Sequence, residues 1–234
     1  MTTRLFIIAV IPTISIAYAV YLSDRYDREP ISLLFKTFIL GALSVIPTIV
    51  VERLFININI FSGILGMAYV SFIVAGFTEE YFKRLVVLKL IYHNKHFDEK
   101  LDGIVYCIFS ALGFATVENV MYVVFRFSYN PYVGFYRGIL SVPAHAIFAV
   151  TMGYYLSLAK FSKDGYRENE YMRKSFYIPV ILHGLFNFIL MIKTPILAGF
   201  IIPYVIYLWW SNQKKLDLYI TESRIKNDER DGLE

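Results

Sequence analysis

Residues 54–84 read LFININIFSGILGMAYVSFIVAGFTEEYFKR, and the first 25 of them include no Asp, Glu, Lys or Arg. An α-helix needs about 17–25 apolar residues to cross a bilayer. Two adjacent carboxylates, Glu79 and Glu80, then Lys83 and Arg84, stand against the end of this run. Whether those charges lie at a membrane surface or inside the membrane depends on how the remaining chain is divided.

The 234-residue chain is 57% hydrophobic, with a mean hydropathy of +0.52, whereas a soluble domain has about 45–50% apolar residues. The excess falls into blocks at 5–22, 31–51, 54–78, 103–125, 138–159, 175–192 and 194–213. Each is long enough to span a bilayer. The sequence therefore predicts an all-α, polytopic transmembrane bundle of seven or eight helices, with the lipid bilayer as its solvent. A β-barrel would need apolar alternation in segments of about ten residues, which is absent. No nucleic-acid partner is expected. Cys107 is alone, so it forms no disulfide within the chain and says nothing about redox compartment. The start resembles a signal peptide with Ala17-Tyr18-Ala19 as its cleavage site, but its apolar run is long enough to span, and it is read as a retained helix.

Lys and Arg concentrate on the cytoplasmic side of membrane proteins. The segments 93–100 and 160–174 and the tail with Lys214, Lys215, Arg224 and Lys226 are the basic connections. Two spans separate each from the next, which places all three, and the C-terminus, inside. The loop at 125–137 and the turn Lys193-Thr194-Pro195 then lie outside. In the first half the early charges nearly cancel. With seven spans, 54–78 crosses inward and the glutamate pair sits at the surface. With eight, 54–75 crosses outward and 76–94 returns, carrying the pair inside.

An ionisable side chain within a span costs at least about 2.5–3.5 kcal/mol on insertion scales, so it needs a partner or a purpose. Glu79 and Glu80 stand four and three residues before Lys83, within reach of it on one helix face. Glu118 lies deep in the block 103–125, too far in for a short side chain to reach water. His145 falls in a later span, and His183 and Asn187, four apart, share a face of the next. Singly, each has a bland reading as a charge cluster at a helix end or an interhelical hydrogen bond. Four spans each carrying an acid or an imidazole point to convergence, and convergence at mid-depth favours eight spans. Paired carboxylates can activate water, and imidazole and amide groups can donate to an oxyanion. A divalent metal such as Zn²⁺ would find candidate ligands in Glu80, Glu118, His145 and His183. The residues leave both routes to amide hydrolysis open.

In order, EEYFK (79–83) matches EExxK, FATVE (114–118) matches FxxxE, His145 follows, and HGLFN (183–187) matches HxxxN. Over roughly 70–190 the chain resembles the PrsW family of bacterial membrane proteases. That family is related to CAAX-processing and bacteriocin-immunity proteases, which carry His where this chain has Glu118, and to the noncatalytic γ-secretase subunit APH-1. The resemblance implies a CAAX-protease-like core in a bacterial cell membrane. It also implies site-1 cleavage of a single-span anti-sigma factor in regulated proteolysis during stress. The catalytic set it implies is Glu79, Glu80, Lys83, Glu118, His145, His183 and Asn187. One glutamate of the pair would be the base, with the other glutamate and Lys83 holding it. Glu118 would share the proton load or ligate a metal, and His145 would position the water or a metal. His183 and Asn187 would face the oxyanion. The chain divides into N-terminal helices (1–75), a catalytic core (76–210) and a cytoplasmic tail (211–234). An APH-1-like scaffold and a transporter are the alternatives; a transporter would need inverted repeats, and no matching pair is seen.

Overall fold

A computed structural model describes residues 2–192 and 199–231, and among them the chain forms helices and no strands. Among the described residues seven rods follow one another: α1 (Thr2–Ser23), α2 (Ile31–Asn57), α3 (63–90), α4 (Lys100–Arg126), α5 (131–160), α6 (Gly165–Ile192) and α7 (Ile201–Asp231). Five of them contain windows long and apolar enough to cross a membrane. The expected turn at Lys193, Thr194 and Pro195 lies outside the described residues.

The first half divides differently from either expectation. Helix α2 runs through Glu52 and Arg53 instead of stopping before them, and the chain turns at 58–62, where Gly63 begins α3 with φ +58°. That left-handed conformation favours glycine. Seven helices thus suffice to put Glu79 and Glu80 inside a rod, and the eight-span division is unnecessary. At about 1.5 Å per residue, Glu79 is about 16 Å from the Leu90 end of α3. The rod continues without interruption across 75–76, where the N-terminal part was expected to end. The polar tail is no loose segment, because α7 extends helically to Asp231 and buries Tyr219 and Ser223 against the bundle.

Breaks inside the rods have local causes. Pro47 cannot donate to the carbonyl four residues earlier, and α2 is interrupted at Ser44, whose Oγ donates instead to the Gly41 carbonyl at 2.6 Å. Pro143 likewise follows the irregular Leu140 in α5. Helix α4 is the axis of the bundle, buried along most of its length and packed on α2 and α5. Membrane helices approach closely where small residues meet. A Cβ on Gly113 would lie 1.9 Å from the Phe38 carbonyl oxygen, and one on Gly41 would lie 2.1 Å from that of Ser110.

The loops at 24–30, 91–99 and 161–164 and the far half of α7 meet at one end. Lys226 Nζ is 3.4 Å from Asp98 and 3.7 Å from Asp27, and the Phe97 and Phe161 rings are 5.9 Å apart. The basic connections expected on one side are therefore gathered there.

Candidate active site

Helix α3 departs from α geometry just before its acidic pair. Residues Val70–Phe77 are π-helical, and Thr78 at the junction donates its hydroxyl back to the Val74 carbonyl. Helix α4 does the same just after Glu118, over Met121–Arg126. Such widened turns occur often at functional sites. Here they sit beside the two carboxylate-bearing segments. Close packing of α3 on α6 completes the approach: a Cβ on Gly76 would meet the Gly184 nitrogen at 3.2 Å, and one on Gly184 would strike the Phe72 ring at 2.2 Å. With no side chain at either glycine, His183 reaches the glutamate pair.

Lys83 is the hub. Its ammonium has three donors and no acceptor, and three partners surround it: Glu80 Oε1 at 2.7 Å, His145 Nδ1 at 3.0 Å and Glu79 Oε2 at 3.2 Å. It also lies 4.6 Å from the centroid of the Phe114 ring, which gives the aromatic of the FATVE motif a role. Full occupation of its donors lets this Lys sit 1% exposed. The Ser110 hydroxyl donates to the Lys83 carbonyl at 2.9 Å, tying α4 to the same turn.

The histidines extend the network in two directions. His145 Nδ1 faces an ammonium and must accept, so Nε2 carries the proton and donates to Glu118 Oε2 at 3.0 Å. His183 Nδ1 faces Glu80 Oε1 at 2.8 Å and must donate. Its Nε2 then points the other way, 3.9 Å from Glu79 Oε2. The His183 ring is fixed by Phe148, stacked at 5.0 Å, and the two imidazoles are 5.3 Å apart. Glu80 is thus committed to two partners, whereas Glu79 keeps more acceptor capacity and faces a free imidazole nitrogen.

Six of the seven expected residues come together: Glu79, Glu80 and Lys83 from α3, Glu118 from α4, His145 from α5 and His183 from α6. Asn187 stands apart. It is half-buried one turn beyond His183 and makes no hydrogen bond to any described residue. Two further charges belong to the neighbourhood. Arg137, expected in an outer loop, pairs with Glu118 at 3.0 Å and donates to Asn119 Oδ1 at 3.1 Å. Glu52, expected at a span edge, lies half-buried on α2 and feels the charges of Glu79, Glu118 and Lys83. Both sit beside apolar runs, where a charge ordinarily marks a membrane boundary, and no local signal separates them from boundary residues.

Four carboxylates (Glu52, Glu79, Glu80 and Glu118) thus face two fixed cations, Lys83 and Arg137. Buried charge requires compensation. Glu79, His145 and His183 each offer a donor atom, all within 4.8 Å of one another, a carboxylate-plus-two-imidazole set suited to a divalent metal. This set takes Glu79 where the sequence suggested Glu80 and Glu118, both engaged elsewhere. His145 is engaged too, at Nδ1 by Lys83 and at Nε2 by Glu118, so a metal held by this set would displace one of those contacts.

Residues 29–211 match the family described as PrsW family intramembrane metalloprotease. The chain is 43% identical over 226 residues to "Protease PrsW" of Clostridioides difficile strain 630, covering 96% of this chain and 94% of that one. It is 35% identical over 204 residues to "Protease PrsW" of Bacillus subtilis strain 168, covering 87% and 90%. No solved structure shows a significant match.

Proposed function

The chain belongs to the PrsW family of membrane-embedded peptidases, and from that premise we propose that the cluster around Lys83 hydrolyses a peptide bond of a single-span membrane protein. One observation carries this reading. Donor atoms of Glu79, His145 and His183, from three helices, lie within 4.8 Å of one another in the buried centre of the bundle.

Water is bound between Glu79 Oε2 and His183 Nε2, and Glu79 accepts its proton as the attack on the scissile carbonyl begins. Lys83 holds the Glu79 carboxylate at 3.2 Å and orients it. Glu80, held by Lys83 and His183, fixes the tautomer that leaves His183 Nε2 free. Glu118, held by Arg137, fixes the tautomer in which His145 Nδ1 accepts from Lys83. Asn187, uncommitted one turn from His183, donates to the developing oxyanion. Glu79, His145 and His183 would hold a divalent metal in place of their contacts to Lys83 and Glu118, and it would supply a bound water of lowered pKa as the alternative to Glu79 acting as the base.

The substrate we propose is an anti-sigma factor cut on its extracytoplasmic side, the first cut in a stress-response cascade. The basic loops gathered with the end of α7 support a cytoplasmic C-terminus in a bacterial cell membrane. Glu118 is about 12 Å by helix rise from the opposite end of α4, which suits a bond near the outer face. The test is cleavage of a single-span anti-sigma factor by purified protein in proteoliposomes, before and after chelation and Zn²⁺ return. Cleavage lost to chelator and restored by Zn²⁺ assigns Glu79, His145 and His183 as ligands. Cleavage that survives complete removal of metal assigns glutamate-activated water. No cleavage of any single-span substrate contradicts the proposal.

A further inference from the structure

A second group of acids lies at the opposite end of α4 from Glu118 and takes no part in the chemistry above. Asp24 and Glu29 come from the loop between α1 and α2, Glu99 precedes α4, and Asp102 is in its first turn. Asp24 is 0% exposed, Asp102 1% and Glu29 6%, and none of the three makes an ion pair among the described residues. The nearest ammonium, Lys226 Nζ, is 3.8 Å from Glu99 and otherwise serves the exposed Asp27 and Asp98.

The aspartates are held by backbone, and Asp102 with Glu99 forms the capping box of α4. Asp24 Oδ2 accepts from the Glu29 backbone N–H at 3.0 Å, and Asp102 Oδ2 accepts from those of Asp98 at 2.9 Å and Glu99 at 2.8 Å. Glu29 accepts from the Tyr106 hydroxyl. One oxygen of each aspartate is thus anchored by backbone. The other, Oδ1 in both, is buried with no hydrogen bond from a described N–H or hydroxyl, and the Glu29 carboxyl stands against that of Asp102. Asp24, Glu99 and Asp102 each turn a carboxylate oxygen toward the others, all within 4.8 Å. Buried acceptors without donors are rare, and buried charges ordinarily have a partner or a metal.

We propose that Asp24, Glu99 and Asp102 form a binding site for a hard divalent cation, Mg²⁺ or Ca²⁺, separate from the catalytic cluster. Carboxylate oxygens alone suit these ions and not a nitrogen-preferring one. The backbone N–H groups act as the outer shell that orients Asp24 and Asp102. The cation ties the α1–α2 loop to the start of α4, the rod that carries Glu118 at its other end, and sits beside Ser223 of α7, which is buried there. It is therefore a staple at the end of the bundle where the basic loops gather.

The test is calorimetric titration of MgCl₂, and separately CaCl₂, into detergent-purified full-length protein, with thermal unfolding alongside. The comparison proteins are Asp24→Asn, Asp102→Asn and His183→Ala, the last altering the other group of potential metal ligands among the described residues. One saturable site is expected in the wild type and in His183→Ala, weakened at least about tenfold in either aspartate variant, with unfolding temperature rising on saturation only where the site is intact. Should Asp24→Asn fail to fold, Asp102→Asn gives the same readout. No saturable binding of either ion to wild-type protein would overturn the proposal and leave protons as the balancing charge. Binding lost in His183→Ala but kept in the aspartate variants would move the ion to the catalytic cluster.

Discussion

Lys83 Nζ lies 3.0 Å from His145 Nδ1, an ammonium donating to an imidazole 62 residues away in sequence. That contact fixes the state of the network, because an ammonium cannot accept. His145 is then a neutral ring protonated at Nε2, directed at Glu118. The same Lys holds Glu79 and Glu80, so one side chain sets both the geometry of the acids and the tautomer of a histidine on another helix.

Replacing this hub by an apolar side chain leaves two buried carboxylates without their shared counter-charge. Lys83→Met should cost about 3–5 kcal/mol of stability, the range for removing one partner of a buried ion pair. Lys83→Arg should not restore it, because a planar fork does not match three convergent acceptors. Unfolding of the purified variants in detergent by denaturant titration measures both.

Arg137 and Glu118 should be energetically coupled. Arg137→Gln and Glu118→Gln, made singly and together, should give a coupling energy of about 0.5–3 kcal/mol in denaturant unfolding. Additive losses would mean that the 3.0 Å pair seen here contributes no specific interaction.

Asn187 separates the catalytic from the structural role of α6. A lost oxyanion donor lowers kcat by about 10²–10³-fold, and this side chain has no partner among the described residues whose loss would unfold the protein. Asn187→Ala should therefore lose rate with unchanged unfolding and little change in KM. Unchanged kcat in that variant would remove Asn187 from the site.

The approach of α2 to α4 is set by glycine. Gly113→Val places carbon where the Phe38 carbonyl now lies, 1.9 Å from the ideal Cβ. It should cost at least about 1–3 kcal/mol as an overpacked contact. Because α4 carries Glu118, cleavage should fall with it, and a thermal-unfolding series of Ala and Val at this position reads the effect.

Much of this arrangement was legible before any coordinates. Apolar blocks gave the helices, and the spacing of Glu79, Glu80 and Lys83 gave their shared face. The rarity of intramembrane acids and imidazoles picked out Glu118, His145 and His183. The helix ends were harder. Glu52 and Arg53 looked like a membrane edge, but α2 runs through them, and the charged groups nearest Glu52 (Glu79, Glu118 and Lys83) belong to other helices. Arg137 was hidden for the same reason. Nothing in the sequence marks Asp24, Glu99 and Asp102 as a group, since their convergence exists only once the α1–α2 loop and the start of α4 meet at one end. Long-range pairing of charges decides these places, and a single sequence carries no local mark of it.

The central claim is that Glu79 is the base, with Glu80 committed to holding Lys83 and His183. The most direct measurement is single-turnover cleavage of a single-span substrate by Glu79→Gln protein in proteoliposomes, with wild-type unfolding behaviour as the control for folding. The account predicts a folded protein whose cleavage rate falls by about 10²–10⁴-fold, the contribution of a positioned general base. Cleavage by folded Glu79→Gln at the wild-type rate would contradict it.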